Sequence, residues 1–254
     1  YIKPTVDLYL KRLESELKTQ NIHAPLQIMH SRGGVYAAKT AREKPVRLFL
    51  SGPAAGEMGG KAVAQMAGKS NAITVDIGGT SCDIALIEGG RVLLRPEGII
   101  TGYPVRVPMV DVNTIGSGGG SLAWLDDSGG IRVGPESAGS DPGPACYGRG
   151  GDRPSVTDAS IVLGYINPDF FAGGEIILDA SRSYDALRRH IANPMGSSVE
   201  AAALGVHRVV NAQMVEGIRL VTIRQGYDPR NFALIPFGGA GPLHATALAQ
   251  ELGI

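Results

Sequence analysis

Glycine is the residue that most restricts what this chain can become. It supplies 36 of 254 residues, roughly twice the ordinary share of about 7%. The glycines bunch at 52–60, 78–79, 116–120, 129–151 and 238–241 instead of recurring at a fixed period, which excludes collagen-like and solenoid architectures. Glycine clusters between apolar runs mark tight turns, or places where backbone comes close to a ligand. With 43% hydrophobic and 19% charged residues, the chain can still enclose a core. Lys+Arg and Asp+Glu both number 24, so there is no basic excess to release counterions from nucleic acid. No apolar run reaches the ~18 residues of a membrane span. Neither nucleic acid nor a membrane is an expected partner. The two cysteines, Cys82 and Cys146, suit a reducing, cytoplasmic setting. Tyr1 leads into a helical pattern without preamble, so the expectation is a processed chain or a piece of something longer.

Periodicity sets out the elements. Val6, Leu10, Leu13 and Leu17 recur at helical spacing within 4–20, behind Pro4. Residues 25–30 read as a short buried strand and 46–50 as another, followed by a small-residue helix over 54–68. Residues 72–75 form a β-branched strand that breaks at Asp76-Ile77-Gly78-Gly79-Thr80 and resumes at 82–87. After Gly89-Gly90 a third strand follows at 92–94, which makes an antiparallel meander. The stretch 111–155 is loop-rich, with a hairpin near 126–130. Short helices are expected at 157–164 and 184–191, a long one at 199–224, a buried strand at 232–237 and a last helix from Pro242.

Four constellations could carry chemistry. In the first, a strand delivers Asp76 to a turn whose glycines free backbone N–H groups to face an anion, with Thr80 and Ser81 hydroxyls alongside. Such a turn can be a phosphate nest with a magnesium-linked carboxylate, or a plain hairpin turn. It is neither a Walker A loop nor a GxGxxG fingerprint, since no lysine follows and a strand comes next. The second is Gly238-Gly239-Ala240-Gly241 between a strand and a helix, where a flat group could lie on the backbone. In the third, Asp111 precedes a glycine run (Gly118 and Gly119 within it) that could wrap a phosphate or metal, or be a structural loop. The fourth is Asp141, Cys146, Asp158 and His244, whose chemistry suits a transition metal but whose spacing shows no paired ligand motif. Cys82 is expected in the core, and Cys146 as a buried singleton or a reactive thiol. His207 is expected on a helix surface, His190 near a helix end, and His23 and His30 without evident partners.

Taken in order, SGPAAGEMGG, DIGGTSCD and FGGAG resemble the connecting helix, second phosphate loop and adenosine loop of the actin, sugar-kinase and heat-shock-chaperone ATPase superfamily. More narrowly, SGPAAG, VDIGGTSCD, TIGSGGGS, GPESAGSDPGPACYGRGG and FGGAGPLHA resemble the hydantoinase A/5-oxoprolinase family over essentially the whole chain. The resemblance implies an α/β fold: a ribonuclease-H-like, actin-type ATPase lobe over 51–254 with a mixed sheet flanked by helices and an insertion around 111–155. Residues 1–50 would be the tail of a first lobe. It further implies ATP-dependent opening of a cyclic amide, with ATP and magnesium as cofactors. A ketone carboxylase subunit and a nucleotide-regulated interaction module are the alternatives. Asp76, Gly78, Gly79, Thr80 and Ser81 would hold the phosphates and magnesium, with Asp111 a further carboxylate. Gly238, Gly239 and Gly241 would face the adenosine. A first DxGGT-type loop, usual near the N-terminus of these enzymes, has no second copy here. A missing first lobe and a B-type subunit are therefore the expected partners, beside a cyclic amide or related carbonyl substrate.

Overall fold

The computed structural model describes residues 2–100 and 102–254. The chain is mixed α/β and divides into two compact units: residues 1–72 with 85–112, and residues 73–84 with 113–254.

In the first unit, α1 (Lys3–Thr19) turns the predicted stripe inward: Leu10 is buried and Val6, Leu13 and Leu17 are half-buried. It packs on α2 (Ala38–Glu43), where the Arg42 guanidinium bridges Asp7 and Glu14 of α1. Between them β1 (Gln27–Met29) and β2 (Val35–Ala37) pair antiparallel, with Ile28 opposite Tyr36. β1 is half-exposed, not buried. His30 does have partners: its Nδ1 accepts from the Arg32 N–H, and its ring lies 4.3 Å from that of Tyr36.

The strand expected at 46–50 is a 3₁₀ turn, Pro45–Leu48. Pro45 fixes a turn-compatible φ at its start, and Ser31 takes the Arg47 carbonyl through both its N–H and its hydroxyl. No ladder forms there. α3 (Ser51–Met66) begins three residues before the expected start and buries Ala54, Glu57, Gly60 and Ala64 along one face. Ala54 joins Ala85, Val110 and Val112 in an apolar cluster.

β3 (Ala72–Ile77) and β4 (Cys82–Glu88) form the expected hairpin, and β5 (Arg91–Val92) continues the meander against β4. The strand expected at 92–94 is split at Leu93. Its N–H bonds the Leu86 carbonyl and its carbonyl takes Asp111 N–H. Consequently Val92 stays with β4, while β6 (Leu94–Arg95) leaves to pair with β9 (Met109–Val110), outside the small hairpin of β7 (Gly98–Ile100) and β8 (Tyr103–Val105).

In the main sheet β10 (Val112–Ile115), β4, β3 and β13 (Ala233–Phe237) are neighbours in that order. Lying at the end of this path, β13 is only half-buried. The hairpin of β11 (Ser121–Leu125) and β12 (Ile131–Ser137) closes over Asp126. The Asp126 carboxylate accepts from Ser128 N–H, Gly130 N–H and Arg132.

α4 (Val156–Val162) starts at a capping box of Ser155 and Asp158. α5 (Ala180–Leu187) starts four residues before the expected 184 because Asp179 caps it, and it passes through a π turn into α6 (Asn193–Met195). α7 (Val199–Thr222) packs on the sheet where Gly217 meets Ile84 and Ile115. It also packs on α4, α5 and α8 (Gly241–Leu252). That crowding buries His207, which the sequence places on the helix surface.

Candidate functional site

The site is built from one hairpin turn and the two loops that press on it, all in the second unit. Alternation along β3 buries Val75 and Ile77 and leaves Asp76 half-buried on the other face. The turn closes with Gly78 N–H donating to the Ser81 carbonyl at 3.0 Å. β4 returns with Asp83, to which Thr114 of β10 donates at 2.6 Å. Burial, then the Asp83 charge, hold the Asp76 carboxyl above the usual carboxylate range. Behind Asp76 lies Gly238 at φ +78°: a Cβ there would overlap Asp76 Oδ1 and sit 2.6 Å from the Ile77 carbonyl.

The glycine run at 116–120 lies against the turn. Gly119 N–H donates to the Gly78 carbonyl at 2.9 Å and Gly120 N–H to the Gly79 carbonyl at 2.6 Å. Gly118 N–H is taken by Ser121 Oγ at 2.9 Å. The amides of Gly118, Gly119 and Gly120 are thus used within the fold, where they hold the turn. A trans peptide sets its N–H opposite its C=O. The Gly79 and Thr80 N–H groups therefore face away from the run, and neither has a protein acceptor among the described residues.

A cleft of about 210 Å³ opens beside the turn. Its lining includes Gly78, Gly79 and Gly119, Thr157 and Ser160 of α4, and Gly239, Ala240 and His244, together with the apolar and aromatic side chains of Tyr147, Val156, Ile166, Phe171 and Leu243. Ala240 N–H donates to the Ile77 carbonyl at 2.9 Å, which joins the second glycine loop to the strand carrying Asp76.

The family model for hydantoinase/oxoprolinase matches residues 1–254. The chain belongs to this family. The resemblance carried by the glycine-rich motifs is thereby borne out. The caprolactamase subunit alpha of Pseudomonas jessenii is 46% identical over 253 residues, covering 100% of this chain and 36% of that protein. The 5-oxoprolinase 1 of Arabidopsis thaliana is 34% identical over 271 residues, covering 100% of this chain and 21% of that one. Among solved structures, the ATP-dependent caprolactamase from Pseudomonas jessenii superposes with TM-score 0.86 at 46% identity, over 100% of this chain and 37% of that one. The nucleotide-free acetone carboxylase superposes with TM-score 0.86 at 34% identity, over 96% of this chain and 34% of that one. The chain thus spans between about a fifth and little more than a third of the length of these relatives.

Within this member of the family, Asp76, Gly78, Gly79, Thr80, Ser81, Gly118, Gly119, Gly238 and Gly239 come together. Gly241 turns inward, where a Cβ would lie 3.3 Å from the Pro236 carbonyl carbon. Asp111 belongs to the first unit, with Arg95 Nη1 at 3.9 Å. Asp141, Cys146 and His244 are not brought together, and no group of three metal-capable side chains occurs among the described residues. Cys146 is buried against Ile161 and Leu178, and burial pushes its thiol pKa up. The Cys82 thiol is likewise buried and pushed up to about 12; neither cysteine has thiolate character. Asp158 accepts five hydrogen bonds, from Ala145, Cys146 and Ser155 N–H and from the Ser155 and Ser183 hydroxyls.

Residues the motifs left unassigned also line or support the site: Asp83, Thr114, Thr157, Ser160, His207 and Asn211. Asp83 was within reach of the sequence. In a hairpin closing on residues 78–81, positions 76 and 83 are cross-strand neighbours on one face.

Proposed function

We propose that the turn at 78–81 holds the phosphates of Mg·ATP and that the chain is the nucleotide-binding portion of an ATP-dependent cyclic-amide hydrolase. The observation that carries this reading is a pair of backbone donors without a protein acceptor among the described residues, Gly79 and Thr80 N–H, in the turn that follows Asp76. The residues fit such a group. A Cβ at Gly78, Gly79 or Gly239 would meet nothing within 4 Å, and paired carboxylates are the oxygen donors magnesium takes. When bound, Mg·ATP supplies the phosphoryl group that turns an unreactive lactam oxygen into a leaving group. The chain's own part is positioning and charge neutralisation. Asp76 holds the metal side with Asp83 next to it, Thr80 offers its hydroxyl at the tip, and Gly118–Gly120 keep the donors aimed. The wider actin-type layout belongs to the same proposal, with a first lobe, residues 51–254 as the second lobe and a B-type subunit completing the enzyme. Cyclic amides are the preferred substrate class because the named hydrolases among the relatives act on them.

A second reading, a subunit of an ATP-dependent ketone carboxylase, is favoured by the equal structural overlap with acetone carboxylase. Turnover of ATP by the complete enzyme with 5-oxoproline, hydantoins or caprolactam, against ketone plus bicarbonate, separates the two. Asp76→Asn in that enzyme is expected to abolish ATP turnover while leaving thermal unfolding within about 1 kcal/mol of wild type. Near-normal ATPase activity in that variant sinks the assignment.

A further inference from the structure

One of the side chains lining the cleft carries a buried polar atom without a hydrogen-bond partner. His244 is fully buried, and its Nε2 has no hydrogen-bond partner. Its other ring nitrogen, Nδ1, lies 2.7 Å from Asn211 Oδ1 on α7. A carboxamide oxygen only accepts, so Nδ1 carries the proton and Nε2 presents a lone pair.

A second buried histidine packs on this ring. The His207 ring stacks on His244 with centroids 5.0 Å apart and planes at 20°. Ser160 Oγ donates its one proton to the Val156 carbonyl at 2.9 Å, and so accepts from His207 Nε2–H, also at 2.9 Å. Each ring therefore has one assigned donor, Nδ1 in His244 and Nε2 in His207. Burial holds both pKa values near 4, well below the usual imidazole range, with His207 adding to the depression at His244. A buried acceptor without a donor is unfavourable, and His244 lines the same cleft as Gly78, Gly79 and Gly239.

We infer that His244 is a base-specificity residue: its Nε2 accepts a hydrogen bond from the exocyclic amine of a 6-aminopurine, and so selects adenine nucleotides over 6-oxopurine nucleotides. The inference rests on the nucleotide reading of the cleft. A 6-oxopurine would set its carbonyl oxygen against the Nε2 lone pair, and neither group could donate. The neutral, tautomer-locked ring cannot relieve that clash by taking up a proton near pH 7.

The test is calorimetric binding of Mg·ATP and Mg·ITP to the full-length protein and to His244→Phe, with ¹⁵N-histidine NMR of the wild type. Wild type is expected to prefer ATP by at least about 10-fold, the scale of one hydrogen bond. In His244→Phe the two affinities should converge to within about 3-fold, mainly by weakening of ATP. The unprotonated Nε2 signal of His244 should shift with ATP and not with ITP, a readout that does not depend on the variant folding. Equal binding of ATP and ITP by wild type, or an Nε2 signal moved equally by both, overturns the specificity role and leaves the nucleotide site standing; that result would assign the lone pair to a ribose hydroxyl. Binding of neither nucleotide overturns both.

Discussion

Adding one methyl group at Gly118 separates a glycine run that binds ligand from one that holds up a turn. A Cβ on Gly118 would lie 2.8 Å from each of three atoms: the Gly78 carbonyl oxygen, the Gly79 carbonyl carbon and the Ser81 nitrogen. All three are backbone of the turn, so no flexible side-chain end can swing aside. Overpacking of this kind costs about 1–3 kcal/mol. Contacts this short also force the turn to retreat, so the hydrogen bonds from Gly119 to Gly78 and from Gly120 to Gly79 lengthen or break, at about 1 kcal/mol each. The expected cost of Gly118→Ala is therefore about 3–5 kcal/mol, concentrated at this contact. Gly116→Ala is the control in the same loop, because a Cβ there meets nothing within 4 Å; it should change stability by less than about 0.5 kcal/mol. Hydrogen–deuterium exchange of the full-length protein, followed over 78–82 and 116–121, reads the effect directly. Amides of Gly119 and Gly120 should exchange at least about 100-fold faster in Gly118→Ala. Mg·ATP affinity should fall with them, although no Gly118 donor is free to touch a ligand. Equal protection in the two variants would refute the support role.

Two further outcomes follow from buried groups. Asp158→Ala leaves three backbone donors and two hydroxyls without their shared acceptor, and should lower stability by at least about 3 kcal/mol in denaturant melts; a loss under about 1 kcal/mol would show the cluster to be water-compensated. His207 and His244 have pKa values near 4 in the native state against 6.5 when free. As pH falls below 6.5 the unfolded chain takes up protons first, so stability should decline between pH 6.5 and about 4, by up to about 3 kcal/mol per ring, and be insensitive to these rings above pH 7. Melting temperature against pH, compared with a shallower slope in His207→Gln, checks this.

How much of this was legible in the sequence depended on the distance between partners. α1 could be read because Val6, Leu10, Leu13 and Leu17 alone state which face is apolar, and the β3–β4 hairpin because its turn residues sit between its strands. The 46–50 stretch departs from its pattern for a local reason: its apolar residues look strand-like, but Pro45 and the Ser31–Arg47 bonds fold the run into a 3₁₀ turn. His207 could not be placed from α7 alone. That helix is apolar on several faces because α4, α5 and α8 cover it, and the Ser160 that meets His207 lies 47 residues away. The turn at 78–81 was visible as a candidate; that its carbonyls are held by Gly119 and Gly120, and its donors thereby aimed, was not.

The FGGAGPLHA motif shows why letters alone under-determine a site. Gly238 is glycine because Asp76 and the Ile77 backbone leave no room for a Cβ, so a ligand need not touch it for the position to matter. Gly239 has open space around it and is the glycine here that lines the cleft. Gly241 and Pro242 open α8, and that helix then carries His244 to the cleft with its Nδ1 already held by α7. One run of residues therefore does three things: it clamps the carboxylate strand, opens a surface, and points an acceptor. Substitution at Gly238 should disturb Asp76 and the fold together, whereas substitution at His244 should disturb the choice of base. Treating the whole motif as a ligand contact would merge two separable effects.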